Sequence, residues 1–184
     1  MVAKAESVAA LESLSDMFSL IALCETARGI LAAEQIAASP RVAALMWGAE
    51  DLLASMGGTS SRRPDGTYRD VARVARARVA LAAGAWGKTA IDAVYVDIAD
   101  TEGLSAEAGD AVASGFGATA CIHPSQVSVI REAYRPGDDE LRWAAAVLAA
   151  ATTERGVFQF DGKMIDEPVL RHARGLQRRA GVQS

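Results

Sequence analysis

Aromatic side chains are scarce, 5 % of 184 residues, while the apolar set as a whole reaches 51 %. Alanine supplies much of that set, so the helices are expected to pack closely through small side chains. There are only two cysteines, Cys24 and Cys121, with no CxxC spacing between them. Each lies at the end of an apolar run, and both are expected to be buried, reduced thiols. No run of about twenty apolar residues exists, so no helix that spans a membrane is expected. The leading residues lack the basic-then-apolar layout of a secretory signal, and the expectation is a cytoplasmic protein. The formal charge of −4 offers no electrostatic reason to expect nucleic acid. Low-complexity segments and internal repeats are also absent. The length suffices for one domain with a real core.

What is present is an alternation of apolar runs and helical patterns. Met1–Ala5 is a short apolar run that contains Lys4, and Ser7 is a plausible N-cap for a helix carrying Val8, Leu11 and Leu14. Buried strands are predicted for Phe18–Cys24, Ala43–Gly48, Ile91–Ile98 and Ala118–Ile122, and helices for Arg28–Ala38, Asp70–Ala85 and Ser105–Ser114. Pro124 suits the opening of another helix. Leu52–Tyr68, with Gly57-Gly58, Pro64 and Asp65-Gly66, reads as a long loop, and long loops are more often functional than decorative. Arg69, Arg73, Arg76 and Arg78 do not share one face, so a solvated helix accounts for most of them. After Pro136-Gly137 the pattern changes to an alanine-rich helix (Asp138–Glu154), a short extended piece (Gly156–Gly162) and an arginine-rich amphipathic helix (Asp166–Arg179). The alternation implies an α/β fold with a parallel sheet of about five strand–helix units.

Two strand ends carry acid. Glu25 follows the first buried run and Asp51 closely follows the second, in Gly48-Ala49-Glu50-Asp51. In α/β proteins ligands bind at the carboxyl ends of the strands. If these two strands are parallel neighbours, the two carboxylates project from one rim, as a hard-cation site or an acid/base pair. The plain structural alternative is that both serve as helix caps.

Five motifs occur in order: Glu25-Thr26-Ala27-Arg28-Gly29, Gly48-Ala49-Glu50-Asp51-Leu52, Ile91-Asp92-Ala93-Val94-Tyr95, Ile122-His123-Pro124-Ser125-Gln126 and Gly162-Lys163-Met164-Ile165-Asp166. In this the chain resembles the citrate lyase β-subunit-like branch of the HpcH/HpaI aldolase family, from Lys4 to the terminal helix. The resemblance implies a partial TIM (β/α)8 barrel over residues 1–135 and a C-terminal helical extension over 136–184. It also implies that the family's first three strand–helix units are missing, with the arginine the family carries on its third strand. The chain is then a fragment, a part completed by another chain or protomer, or a decayed relative.

The same resemblance implies Glu25 and Asp51 as Mg²⁺ ligands; Glu25, Arg28 and Gly48 are the candidate substrate-binding residues, Arg28 as a bidentate donor to a carboxylate or phosphate and Gly48 by close backbone approach near the metal. Asp166 is implied as an acid/base acting in a neighbouring protomer of a homo-oligomer; read alone, it is an N-cap with Pro168 in the following turn. Arg28 is equally a surface arginine, and His123-Pro124 more often a structural corner than a base. Lys4 and Glu6 match the family's strand motif without an expected catalytic role. Asp97 and Asp100 are candidates to sit behind the metal ligands. The implied activity is Mg²⁺-dependent cleavage of a 3-hydroxyacyl-CoA thioester (malyl-, citramalyl- or citryl-CoA-like) into an acyl-CoA and a 2-oxo acid. The alternatives are a 2-oxo-acid aldolase of the same superfamily and a non-catalytic barrel fragment serving oligomerisation or a complex.

Overall fold

The computed structural model describes residues 1–154 and 156–181. It divides into two units, Met1–Ile130 and Arg131–Ser184.

In the first unit, helix α1 (Val8–Glu12) is followed by strand β1 (Leu20–Cys24), α2 (Ala27–Ala38), β2 (Val42–Trp47), α3 (Ala49–Ser55), α4 (Asp70–Ala85), β3 (Thr89–Asp92), α5 (Thr101–Ala113), β4 (Ala118–Thr119) and α6 (Ser125–Tyr134), which runs across the division. The strands form one parallel sheet in the order β1-β2-β3-β4. Sequential order with a helix after each strand is the progression of a (β/α)8 barrel, here as an arc of it. Val2 adds a single parallel bridge to Ala22, a rudimentary fifth strand on the β1 edge.

Register explains the core. Ala22 pairs with Leu45, and Leu45 with Ala90. These residues lie on the helix-facing side of the sheet and cluster with Ala33, Ile36, Ala72, Ala75 and Val79 of α2 and α4. Alanine on both surfaces brings helix and sheet close, and the few large side chains, Trp47, Leu45 and Ile36, fill the layer between. Glu25, by strand alternation, shares the opposite face with Ile21 and Leu23.

Local signals place the helix starts. Ser7 Oγ accepts from Ala10 N, and Thr26 Oγ1 accepts from Gly29 N at 3.1 Å. Leu14 lies beyond α1 and is exposed. Gly29 is required by close approach: a Cβ there would lie 2.5 Å from the Ala5 carbonyl oxygen.

Three expectations need correction. The Ile91–Ile98 strand stops at Asp92, and Val96 and Ile98 are exposed, because β4 offers a partner only as far as Thr119. The last strand is likewise Ala118–Thr119, which leaves Cys121 exposed rather than buried. The loop begins at Met56, since α3 continues to Ser55. Arg69, Arg73 and Arg78 are exposed as expected of most of these arginines, while Arg76, its side chain 15 % exposed, pairs with Asp92 and Asp110.

In the second unit, α7 (Asp138–Ala150) packs on α8 (Glu167–Gly181) through Ala144, Ala173 and Leu176. The extended piece is a hairpin of β5 (Phe158–Phe160) and β6 (Lys163–Ile165). Its turn, Asp161-Gly162, has φ of 48° and 74°, the two left-handed residues of a tight hairpin turn. No helix among the described residues is long and apolar enough to cross a membrane.

Candidate functional site

Cys24 and Trp47 are paired in register at the carboxyl ends of β1 and β2. The next residues are Glu25 and Gly48, linked by Gly48 N donating to Cys24 O at 3.4 Å. Glu25 is buried, at 6 % exposure. Its Oε1 accepts a hydrogen bond from the backbone N–H of Lys4 at 3.0 Å. A Cβ at Gly48 would come within 3.0 Å of Glu25 Cβ and 3.3 Å of Oε2, so glycine is what lets the carboxylate lie against the β2 end. Asp51 stands in the first turn of α3 and is exposed. The structure thus brings Glu25 and Gly48 together and places Asp51 three residues further along the same rim.

No hydrogen bond to Glu25 Oε2 or to the Asp51 carboxylate is present among the described residues. These oxygens are free to meet a hard cation, which takes oxygen ligands and retains water in its remaining positions. No group of three or more His, Cys, Asp or Glu side chains suited to a metal occurs among the described residues. A bound ion would therefore keep several positions open for water and substrate oxygens.

Arg28 lies at the start of α2 with its side chain 81 % exposed and Nε 4.0 Å from Glu6 Oε2. Glu6 is engaged more closely by Thr26 Oγ1, which donates to it at 2.7 Å. Asp166 belongs to the second unit and accepts from Val169 N at 3.3 Å, capping α8. His123 Nδ1 lies 2.8 Å from Ser125 Oγ and accepts from Ser125 N, a corner opening α6. Asp97 and Asp100 serve turns rather than the Glu25 carboxylate. Asp97 Oδ1 accepts from Ala99 N, and Asp100 caps α5 through Gly103 N. Tyr95 OH donates to Asp100 at 2.5 Å; that hydrogen bond pushes the tyrosine up to about 12 and holds the Asp100 carboxyl below its usual range.

Two clusters behind the rim were not foreseen. Asp92, at 1 % exposure, accepts from Trp47 Nε1 at 2.5 Å, from Arg76 Nε and Nη2, and from Ala93 N. Arg76 also reaches Asp110. Burial alone would lower the Arg76 pKa, but hydrogen bonds and charge from the two aspartates outweigh it and raise the pKa. In the second cluster Arg62 pairs with Glu107 at 2.7 Å and lies over the Tyr68 ring, 3.9 Å from its centroid. Tyr68 OH donates to Glu107, and its ring meets Trp47 edge-on at 5.2 Å. Together these fasten the α3–α4 loop to α5. Gln126, 1 % exposed, ties two rim loops by accepting from Ile122 N and donating to Tyr95 O. The sequence signals for this were a charged residue, Asp92, inside a strand pattern and the presence of Asp92, Tyr95 and Gln126 in two of the five motifs.

Residues 3–124 match the family model described as HpcH/HpaI aldolase/citrate lyase. The chain belongs to the HpcH/HpaI aldolase/citrate lyase family. It is 56 % identical over 181 residues to the citrate lyase subunit beta-like protein of Mycobacterium tuberculosis, covering 98 % of this chain and 66 % of that relative. It is 35 % identical over 176 residues to the mitochondrial citramalyl-CoA lyase of Rattus norvegicus, covering 89 % and 51 %. A crystal structure of the M. tuberculosis protein CitE in complex with magnesium, acetoacetate and coenzyme A superposes with a TM-score of 0.89 at 56 % identity, covering 97 % of this chain and 66 % of that one. This family member thus spans between half and two thirds of the length of those relatives.

Proposed function

We propose that this chain is a Mg²⁺-dependent carbon–carbon lyase that cleaves a 3-hydroxyacyl-CoA thioester, of the malyl-, citramalyl- or citryl-CoA kind, into an acyl-CoA and a 2-oxo acid. The observation that carries the reading is the buried Glu25 carboxylate, one oxygen held by Lys4 N–H and the other facing Gly48, on the rim that bears Asp51. The magnesium, acetoacetate and coenzyme A in the M. tuberculosis relative support it.

Glu25 and Asp51 are proposed to hold the ion, which when bound would act as a Lewis acid toward the hydroxyl oxygen that gains charge as its proton leaves. In cleavage the hydroxyl proton passes to a base and the C–O bond becomes a carbonyl. The electron pair of the broken bond enters the thioester enolate, and an acid returns one proton to the enolate carbon. Asp166 is proposed as that acid/base group, working in a neighbouring copy of the chain. Residues 136–184 would then be the extension that delivers it to the barrel portion, residues 1–135. Gly48 gives substrate backbone-close access beside Glu25, and the exposed Arg28 is proposed as a bidentate donor to a carboxylate or phosphate of the substrate.

The test is incubation of the chain with malyl-CoA and citramalyl-CoA, following 2-oxo acid and free CoA thiol separately. The expected result is Mg²⁺-dependent release of 2-oxo acid, abolished by chelator and lowered at least about 100-fold in Glu25→Ala and Asp51→Ala, as for loss of a principal electrostatic stabiliser. Free thiol without 2-oxo acid would show thioester hydrolysis instead. Equal activity in wild type and both variants would refute the site.

A further inference from the structure

Two non-glycine residues among those described have positive φ, Lys4 at 49° and Asp161 at 48°. Asp161 is explained by its hairpin turn. Lys4 lies in no hairpin. Its segment pairs with β1 on both sides of it: Val2 N donates to Ile21 O, Leu23 N to Val2 O, and Ala5 N to Leu23 O. In a regular parallel ladder the N–H of residue 4 would bond Leu23 O, because every second residue of a strand donates to the same neighbour. Here Ala5 takes that place. One residue is inserted, and the displaced Lys4 N–H turns to Glu25 Oε1. Bulges of this kind are over-represented beside active sites, where they re-aim a group, and a non-glycine residue held left-handed is a marker of function.

The lysine side chain is also unspent. It is exposed and makes no ion pair among the described residues. Its Cα is one bond from a nitrogen that sits 3.0 Å from Glu25 Oε1, and its flexible stem can carry the ammonium over the rim. Charge balance gives it a task. Two carboxylates neutralise a divalent cation, so the carboxylate of a 2-oxo acid calls for a further cation; Arg28 already lies 4.0 Å from Glu6 Oε2, whereas Lys4 has no ion pair among the described residues.

We propose that Lys4 is the substrate-anchoring residue of this rim: its backbone N–H sets the Glu25 carboxylate, and its ammonium meets the carboxylate of the 2-oxo acid. The inference rests on the lyase reading and deepens it.

The experiment uses the full chain and two direct binding measurements: Mn²⁺ by electron paramagnetic resonance, and pyruvate by calorimetry at saturating Mg²⁺. Lys4→Met should weaken pyruvate about ten-fold or more while Mn²⁺ affinity shifts less than about two-fold, since one charge-assisted hydrogen bond is lost and the backbone donor stays. Lys4→Gly, which adopts positive φ without strain, should match Lys4→Met, and Lys4→Arg should recover most of the affinity. Binding of methyl pyruvate, which lacks the charge, should be the same in wild type and Lys4→Met. If wild type binds Mn²⁺ and pyruvate and Lys4→Met binds both equally well, the assignment of Lys4 is overturned while the metal site stands. Loss of Mn²⁺ binding in Lys4→Met overturns it too, by showing that the side chain acts on the metal site. If wild type binds no Mn²⁺, the lyase reading and this inference fall together.

Discussion

Replacing Asp92 by asparagine isolates the buried charge that joins β2, β3, α4 and α5. The substitution is nearly isosteric, so packing is kept. Among the described residues it removes the only buried negative charge in contact with Arg76, and it sets a side-chain NH₂ where Nε and Nη2 donate at 3.1 and 2.7 Å. Removing one partner of a buried pair costs about 3–5 kcal/mol, because the other charge is left uncompensated. Asp110 keeps one contact to Arg76, but it is 63 % exposed and screened, which places Asp92→Asn at the lower end, about 3 kcal/mol. Asp92→Ala also strands the Trp47 N–H, a further penalty of about 1–3 kcal/mol. Urea unfolding followed by tryptophan fluorescence measures both. The decisive comparison is Asp92→Asn combined with Arg76→Met, which removes the uncompensated charge and should regain at least about half of the lost stability. A loss below about 1 kcal/mol in Asp92→Asn, or a double variant no better than the single, would refute the argument that this ion pair holds the helices to the sheet.

Three further outcomes follow from the structure. Burial first, and the charge of Glu25 second, push the Cys24 thiol from 9.0 up to about 12. A raised folded pKa contributes stability that is present below the unfolded value and lost as pH rises toward the folded one, so unfolding free energy should decline between pH 9 and 12 and less so in Cys24→Ala. A thiol reagent in the native state should accordingly label Cys121 rapidly and Cys24 only on unfolding. Gly29→Ala should cost about 1–3 kcal/mol in the same urea assay, since its Cβ would lie 2.5 Å from a backbone oxygen that cannot move alone. Unchanged stability would mean that the Val2–Glu6 segment is not held against α2.

Periodicity and residue type made the helices legible. The Asp70–Ala85 helix begins and ends where its pattern does, and Ser7 caps as its chemistry requires. The parallel α/β progression was legible for the same reason, because strand and helix periods differ and alternate along the chain. So was the placing of Glu25 directly after β1, whereas Asp51 lies past the end of β2, in the first turn of α3. Strand length was not. Val94, Val96 and Ile98 alternate as a strand would, yet pairing needs a neighbour at the same height, and β4 ends at Thr119. Nor could spacing reveal that Arg76 turns inward to Asp92, that Gln126 joins two loops, or that Lys4 leaves the β1 ladder to reach Glu25. Local sequence decides which backbone hydrogen bonds form within a segment. Partners 16 to 31 residues apart, as for Arg76–Asp92, Lys4–Glu25 and Gln126–Tyr95, are chosen only when the sheet sets its register and brings them within reach.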